Sequence, residues 1–102
     1  MQLLTKDIEN KLQKQPLYSQ EQKGDDARAI AKFFNPCGRG TWYVLEGEKQ
    51  DNGDWLFFGI AEIYEREYTY FTLSELESVR LPFGLTIERD KYFKPCKVKD
   101  LS

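Results

Sequence analysis

The sequence contains no histidine and only two cysteines, Cys37 and Cys96, in 102 residues. Without histidine, Ser–His–Asp and Cys–His nucleophile arrangements are excluded. A zinc site is nearly excluded too, since two distant thiolates would need carboxylate help. Two cysteines are too few for a disulfide scaffold. Met1-Gln2-Leu3-Leu4-Thr5-Lys6-Asp7 has no apolar stretch long enough for a secretory signal, so free thiols in a reducing cytoplasm are expected. No hydrophobic run approaches membrane-spanning length, and no membrane partner is expected. A Gly-rich phosphate loop is also lacking. Cys37-Gly38-Arg39-Gly40 has two glycines but no lysine and no strong helix start after it, so no cofactor is implied. There is no surplus of positive charge either, with 15 Lys and Arg against 17 Asp and Glu. That is a poor starting point for a protein built to grip nucleic acid.

What is present is material for one folded domain spanning 1–102. Hydrophobic residues make up 40% and aromatic residues 15%, enough for one core, and a chain this short supports a single domain. Charge is unevenly spread. From Glu46 to Glu77 the chain is acidic, broken only by Lys49 and Arg66, and from Arg89 onward it turns basic. Two solvated surfaces of opposite sign explain this most simply.

Leu4, Ile8 and Leu12 recur at helical spacing behind a capping Thr5, so a helix is expected within 1–16, closed by Pro16. A polar loop follows over 17–26, anchored by Leu17 and Tyr18. Ala27 to Phe34 suits either a helix capped by Asp26 or an alternating strand. Thr41 to Glu46, Trp55 to Tyr64 and Tyr68 to Phe71 are rich in β-formers. Asn52-Gly53 between the first two reads as a two-residue hairpin turn, and Glu65-Arg66-Glu67 as a second tight connection. An antiparallel meander over 27–71 is therefore expected. Thr72-Leu73-Ser74-Glu75 has the form of a capping box opening a helix within 72–81, from about Leu73 to Arg80, closed by Pro82. Residues 82–102 form a return segment and tail. The expected fold class is α+β: a small antiparallel sheet, a meander of three to four strands, with a short N-terminal helix and a capped C-terminal helix packed on it.

Several blocks carry a resemblance: Lys32-Phe33-Phe34-Asn35-Pro36, Thr41-Trp42-Tyr43 with Glu46, Phe57-Phe58-Gly59, and the long run from Tyr70 to Asp90. On these residues the chain resembles the bacterial domain-of-unknown-function family 2958. The resemblance implies a small bacterial protein of the kind often found on plasmids and integrating elements. It implies no activity and no catalytic residue. It tips Ala27 to Phe34 toward strand.

Carboxylates are the remaining source of chemistry. Counting back from a two-residue turn at Asn52-Gly53 places Glu46 opposite Gly59, Val44 opposite Ala61 and Trp42 opposite Ile63. Glu46 would then share a face with Trp42, Val44 and Phe57, with a gap beside it where Gly59 has no side chain. Such a carboxylate is either a candidate acid or base, or a group that sits wet near the hairpin end or pairs with Arg89, and a register slip would move it to the other face. Glu88 and Asp90 are further candidates, able with Glu46 or Glu62 to hold magnesium for phosphodiester cleavage if they converge. The bland alternative makes Arg89 a clasp for the C-terminal segment. Trp42, Tyr43 and Tyr70, with Arg89, are candidate binding residues, core being the default for strand aromatics. The leading expectation is a non-enzymatic interaction or regulatory module whose partner is another protein. A carboxylate- and metal-dependent hydrolase or nuclease is the alternative. Nucleic-acid binding by the basic tail, with Tyr92 and Phe93 stacking, is disfavoured by the acidic middle.

Overall fold

The computed structural model of the chain describes residues 2–101. Its elements in order are α1 (Lys6–Leu12), β1 (Arg28–Ala29), β2 (Ala31–Phe34), β3 (Thr41–Lys49), β4 (Trp55–Glu62), β5 (Arg66–Thr72), α2 (Leu73–Ser78), β6 (Glu88–Arg89) and β7 (Cys96–Lys97). Five strands form one antiparallel sheet in the order β5-β4-β3-β2-β6, and β1 pairs with β7 in a separate two-stranded sheet. This corrects the α+β expectation of a three-to-four-stranded meander carrying two helices. The fold is dominated by its sheets, because the return segment contributes β6 against β2 and the tail contributes β7 against β1.

The expected helices and strands have physical counterparts, but the second connection is Ile63-Tyr64-Glu65 instead of Glu65-Arg66-Glu67, because Arg66 and Glu67 already pair with Glu62 and Ala61. Thr5 caps α1 by accepting the Ile8 amide at 3.2 Å, and Ile8 and Leu12 face the core. Ala27 to Phe34 is extended, broken at Ile30, whose amide donates to the Val44 carbonyl at 2.7 Å. Ala27, Ala29 and Ala31 are all buried, so these alanines serve as small side chains under close packing rather than as helix formers. Thr72 caps α2 through Glu75, but the helix stops at Ser78. Val79 takes extended backbone, and Val79 and Leu81 then both reach the core, which a helix running on to Arg80 would prevent.

The β3–β4 hairpin is not closed by a two-residue turn. Lys49 pairs with Trp55, leaving a loop over 50–54 in which the Gln50 amide donates to Asp54 O at 2.7 Å. The Asn52 side chain accepts the Asp54 amide at 3.0 Å, a local Asx-type bond that competes with the tight turn.

The five-stranded sheet is covered on both faces. On the first, Phe33, Val44, Phe57 and Phe71 pack beneath Leu4, Ile8, Leu12, Leu76 and Ile87, and Phe57 lies 5.7 Å from Phe71 by ring centroids. Removing a leucine from such a site costs about 2–5 kcal/mol. On the second face, Tyr43, Leu45 and Ile60 pack with Ala27, Ala29 and Val98. The tail is held there by β1–β7 pairing and by the Val98 amide donating to Ala27 O at 2.8 Å. This cover stops short of the β4–β5 end, where Tyr68 and Tyr70 remain about half exposed at 51% and 46%. No helix among the described residues is long and apolar enough to cross a membrane.

Candidate binding cleft

The cleft originates in a single extra residue. Val44 pairs with Gly59 and Glu46 pairs with Phe58, so Leu45 is a β-bulge in β3. A Cβ on Gly59 would lie 1.8 Å from the Tyr43 carbonyl oxygen. Glycine is required there because the bulged backbone occupies the space a side chain would take. Gly59 therefore marks the bulge, not a gap beside Glu46. Strict alternation would place Glu46 with Trp42 and Val44. The bulge instead puts Leu45 and Glu46 consecutively on the second face, and returns Gly47 to the first, against Phe57 and Leu12. The expected partners Ala61 for Val44 and Ile63 for Trp42 are replaced by Gly59 and Ala61.

A bulge removes a backbone group from the ladder, and that group needs a partner. Gln20, only 4% exposed, supplies it. Its side-chain nitrogen donates to Leu45 O at 2.7 Å and to Arg28 O at 2.9 Å, and its oxygen accepts the Arg28 amide at 2.6 Å. Glu46, 2% exposed, completes the anchor. One carboxylate oxygen accepts the Tyr18 amide at 2.7 Å and the other the Gln20 amide at 2.9 Å. Glu48 accepts the Leu17 amide at 3.3 Å. The polar loop 17–26 is thus bound to the sheet by two buried side chains and by its own backbone.

This anchoring sets Tyr18 in the left-handed region, at φ 73°, an unusual conformation for a large side chain. Its ring meets the open end of the second face. There Phe58 stands between two β5 tyrosines, 4.9 Å from Tyr70 and 6.0 Å from Tyr68 by ring centroids. The cleft between loop and sheet has a volume of about 450 Å³ and is lined by these four rings together with Glu46, Glu21 and Asp25. That size falls within the range of small-ligand sites. The Tyr70 phenol is raised above its ordinary value, first by partial desolvation, then by its hydrogen bond with Tyr18 and by the charges of Tyr18, Glu46 and Glu21.

The other candidates lie elsewhere. Trp42 packs on the first-face core, and Tyr43 is buried in the second, 6.0 Å from the Phe93 ring. Glu88 pairs with Phe34 on β6, and Asp90 meets Lys32 at 3.7 Å. Strand spacing and rise put Glu88 on the order of 20 Å from Glu46, two strands across and five residues along. The three carboxylates therefore do not converge. Among the described residues no group of three or more acidic or thiol side chains is arranged to hold a metal ion. Arg89 donates to the Gln2 carbonyl, tying the N-terminal segment to β6, and Glu46 is held by loop amides instead of by Arg89. Of the cleft residues, the sequence gives no sign of Gln20, reads Tyr18 only as a loop anchor, and reads Phe58 and Tyr68 as strand aromatics with core as the default. Gly59, a glycine within an aromatic strand, was the one signal of a bulge that could have located them.

No curated protein and no solved structure matches the chain. A family model described as protein of unknown function DUF2958 matches residues 3–100, and the chain belongs to that family.

Proposed function

We propose that the domain is a non-enzymatic protein-interaction module, acting in the bacterial cytoplasm in an accessory or mobile-element setting, and that it engages its partner through the aromatic and acidic end of the second sheet face. The observation that carries this reading is the cleft lined by Tyr18, Phe58, Tyr68 and Tyr70. It is a concave aromatic surface left open on a sheet face that the tail and loop otherwise cover. Aromatic side chains that are rigid and partly exposed are the typical anchors of protein interfaces. Glu46 supports the non-enzymatic reading, since its carboxylate is buried and committed to two backbone amides. Both thiols are free, which suits a reducing compartment.

The test is a Tyr68→Ala/Tyr70→Ala variant. These side chains are about half exposed, so the variant should keep the wild-type circular dichroism spectrum. Partners captured by the wild-type protein, then purified and titrated directly, should bind the variant at least about tenfold more weakly, as for interface aromatics elsewhere. Unchanged affinity for every such partner would refute the proposal.

A further inference from the structure

The geometry points to an arginine side chain, carried on an extended segment of a partner protein, as the group that enters the cleft between Tyr18, Phe58, Tyr68 and Tyr70. This rests on the interaction reading above and specifies its ligand.

Three observations converge on it. The first is charge. Glu46, Glu21 and Asp25 line the cleft, and no lysine or arginine is among its described lining residues. A carboxylate offers about four acceptor directions, and Glu46 uses two of them for the Tyr18 and Gln20 amides. The field of these groups acts on the cleft itself, because Glu46 and Glu21 both raise the Tyr70 phenol.

The second is ring geometry. Phe58, Tyr68 and Tyr70 form a continuous wall, with Phe58 and Tyr68 stacked at an interplanar angle of 13° and Phe58 and Tyr70 tilted at 56°. Aromatic faces attract cations through the ring quadrupole, and a planar guanidinium both stacks on such faces and presents five donors. An ammonium has only three donors and is more strongly hydrated, so arginine suits this wall better than lysine. The chain already uses the same contact elsewhere, with the Arg39 guanidinium 5.7 Å from the Tyr64 ring centroid.

The third observation identifies the carrier. β5 is a terminal strand of the sheet, seven residues long and free of proline. Its ladder runs to β4 on one side, and the Tyr70 carbonyl also accepts the hydroxyl of its neighbour Thr69 at 3.3 Å. Such an edge is a template for an added strand. Tyr68 and Tyr70 project from this strand into the cleft. A segment paired along β5 would direct alternate side chains onto the same face, bringing one of them to the cleft mouth.

The experiment uses the full chain with three blocked probes: a five-residue Thr/Val peptide with a central arginine, the same peptide with citrulline, and free acetyl-arginine amide. Binding is followed by amide shifts in ¹H–¹⁵N NMR spectra. The arginine peptide should shift residues 18–21, 46 and 66–72, and should bind at least about tenfold more tightly than the citrulline peptide, as expected for a cation between aromatic faces. Free acetyl-arginine amide should shift the cleft residues more weakly and leave the outer β5 amides unmoved. Glu21→Gln/Asp25→Asn, which alters only exposed side chains, should weaken the arginine peptide several-fold and leave the citrulline peptide unaffected. Equal binding of the arginine and citrulline peptides at the tyrosines would overturn the arginine assignment while leaving the interaction surface standing. Shifts confined to residues away from the cleft would overturn it as well. Equal effects of free acetyl-arginine amide and the arginine peptide would overturn the extended-segment carrier.

Discussion

Gln20 and Glu46 secure one another across the second face of the sheet. The Gln20 amide donates to the Glu46 carboxylate at 2.9 Å, while the Gln20 side chain satisfies Leu45 O, immediately before Glu46, at 2.7 Å. The pair closes a cycle: the bulge turns Glu46 toward the loop, Glu46 holds the loop amides, and the loop returns Gln20 to the carbonyl the bulge released. Neither residue has an alternative partner in water, because both are buried.

Glu46→Gln should therefore be destabilising despite its near-identical shape. Glutamine replaces one acceptor oxygen with a donor, which would face either the Tyr18 or the Gln20 amide. Leaving a buried amide unsatisfied costs about 1–3 kcal/mol, so urea denaturation should show a loss of that order, and Glu46→Ala at least as much. Combining Gln20→Ala with Glu46→Gln should show coupling, since residues of one hydrogen-bond network are not additive. A loss below about 0.5 kcal/mol, the range of a neutral surface change, would contradict the anchoring role.

Gly59→Ala should be worse than any change to the cleft's exposed side chains. The new Cβ would meet the Tyr43 carbonyl oxygen at 1.8 Å, and that atom belongs to the backbone, which cannot rotate aside. Overpacking of this kind costs about 3 kcal/mol or more. If the chain relaxes by expelling the bulge, Glu46 turns to the first face and the Tyr18 and Gln20 amides lose their acceptor. Hydrogen exchange of those two amides should accelerate together. A variant that keeps both protected and melts like the wild type would show that the bulge tolerates a side chain.

Much of this was legible in the sequence where a local rule decides it. Thr5 and Thr72 cap helices because a hydroxyl beside an orphan amide is a local arrangement, and the strand segments follow from their β-formers. The size of the sheet was not legible. β6 and β7 are two residues each, and they exist because Phe33, Phe34, Arg28 and Ala29, far away in sequence, offer them an edge. The cleft was missed for a sharper reason. Asn52-Gly53 suggested a two-residue turn, yet Asn52 spends its side chain on the Asp54 amide, so the loop is longer. Register counted from that turn was wrong at every pair, and the Leu45 bulge then reversed the face of Glu46. A period of two carries no tolerance for one inserted residue.

Asp54 should prove to be a second cap for α2, supplied from the hairpin loop. Its carboxylate accepts the Ser74 amide at 3.1 Å and the Trp55 amide at 2.8 Å, and the Ser74 hydroxyl at 2.5 Å. These bonds, Ser74 foremost, hold its pKa below the ordinary carboxylate value. A depressed carboxylate contributes stability above its unfolded pKa and loses it as the pH falls through the folded value. Asp54→Ala should cost about 1 kcal/mol, as for loss of a helix cap, and should flatten the acid limb of the stability profile. An acid limb unchanged by Asp54→Ala would exclude the capping role.

Asp26 and Lys99 should make the docking of the tail depend on pH at both extremes. The Lys99 ammonium lies 3.1 Å from the Asp26 carboxylate and the Lys97 ammonium 3.7 Å from it. Lys99 is the larger cause of the depressed Asp26 pKa, first by hydrogen bonding and then by charge, and Asp26 in turn raises Lys99. The Asp26 contribution is present above its unfolded pKa of about 3.9 and is lost as the pH falls through its lowered folded value. The Lys99 contribution is present below its unfolded pKa of about 10.4 and is lost as the pH rises through its raised folded value. Between these limits the clasp holds Val98 against Ala27. The groups are exposed, so salt should weaken the effect as the Debye length contracts from about 10 Å at 0.1 M to about 3 Å at 1 M. Carboxyl carbon NMR provides the measurement. Asp26 should titrate below the usual carboxylate range, Lys99→Gln should return it most of the way, and Lys97→Gln should return it less. A larger effect from Lys97→Gln, or an ordinary Asp26 titration in the wild-type chain, would show that the tail is held by β1–β7 pairing and Val98 burial without the ion pair.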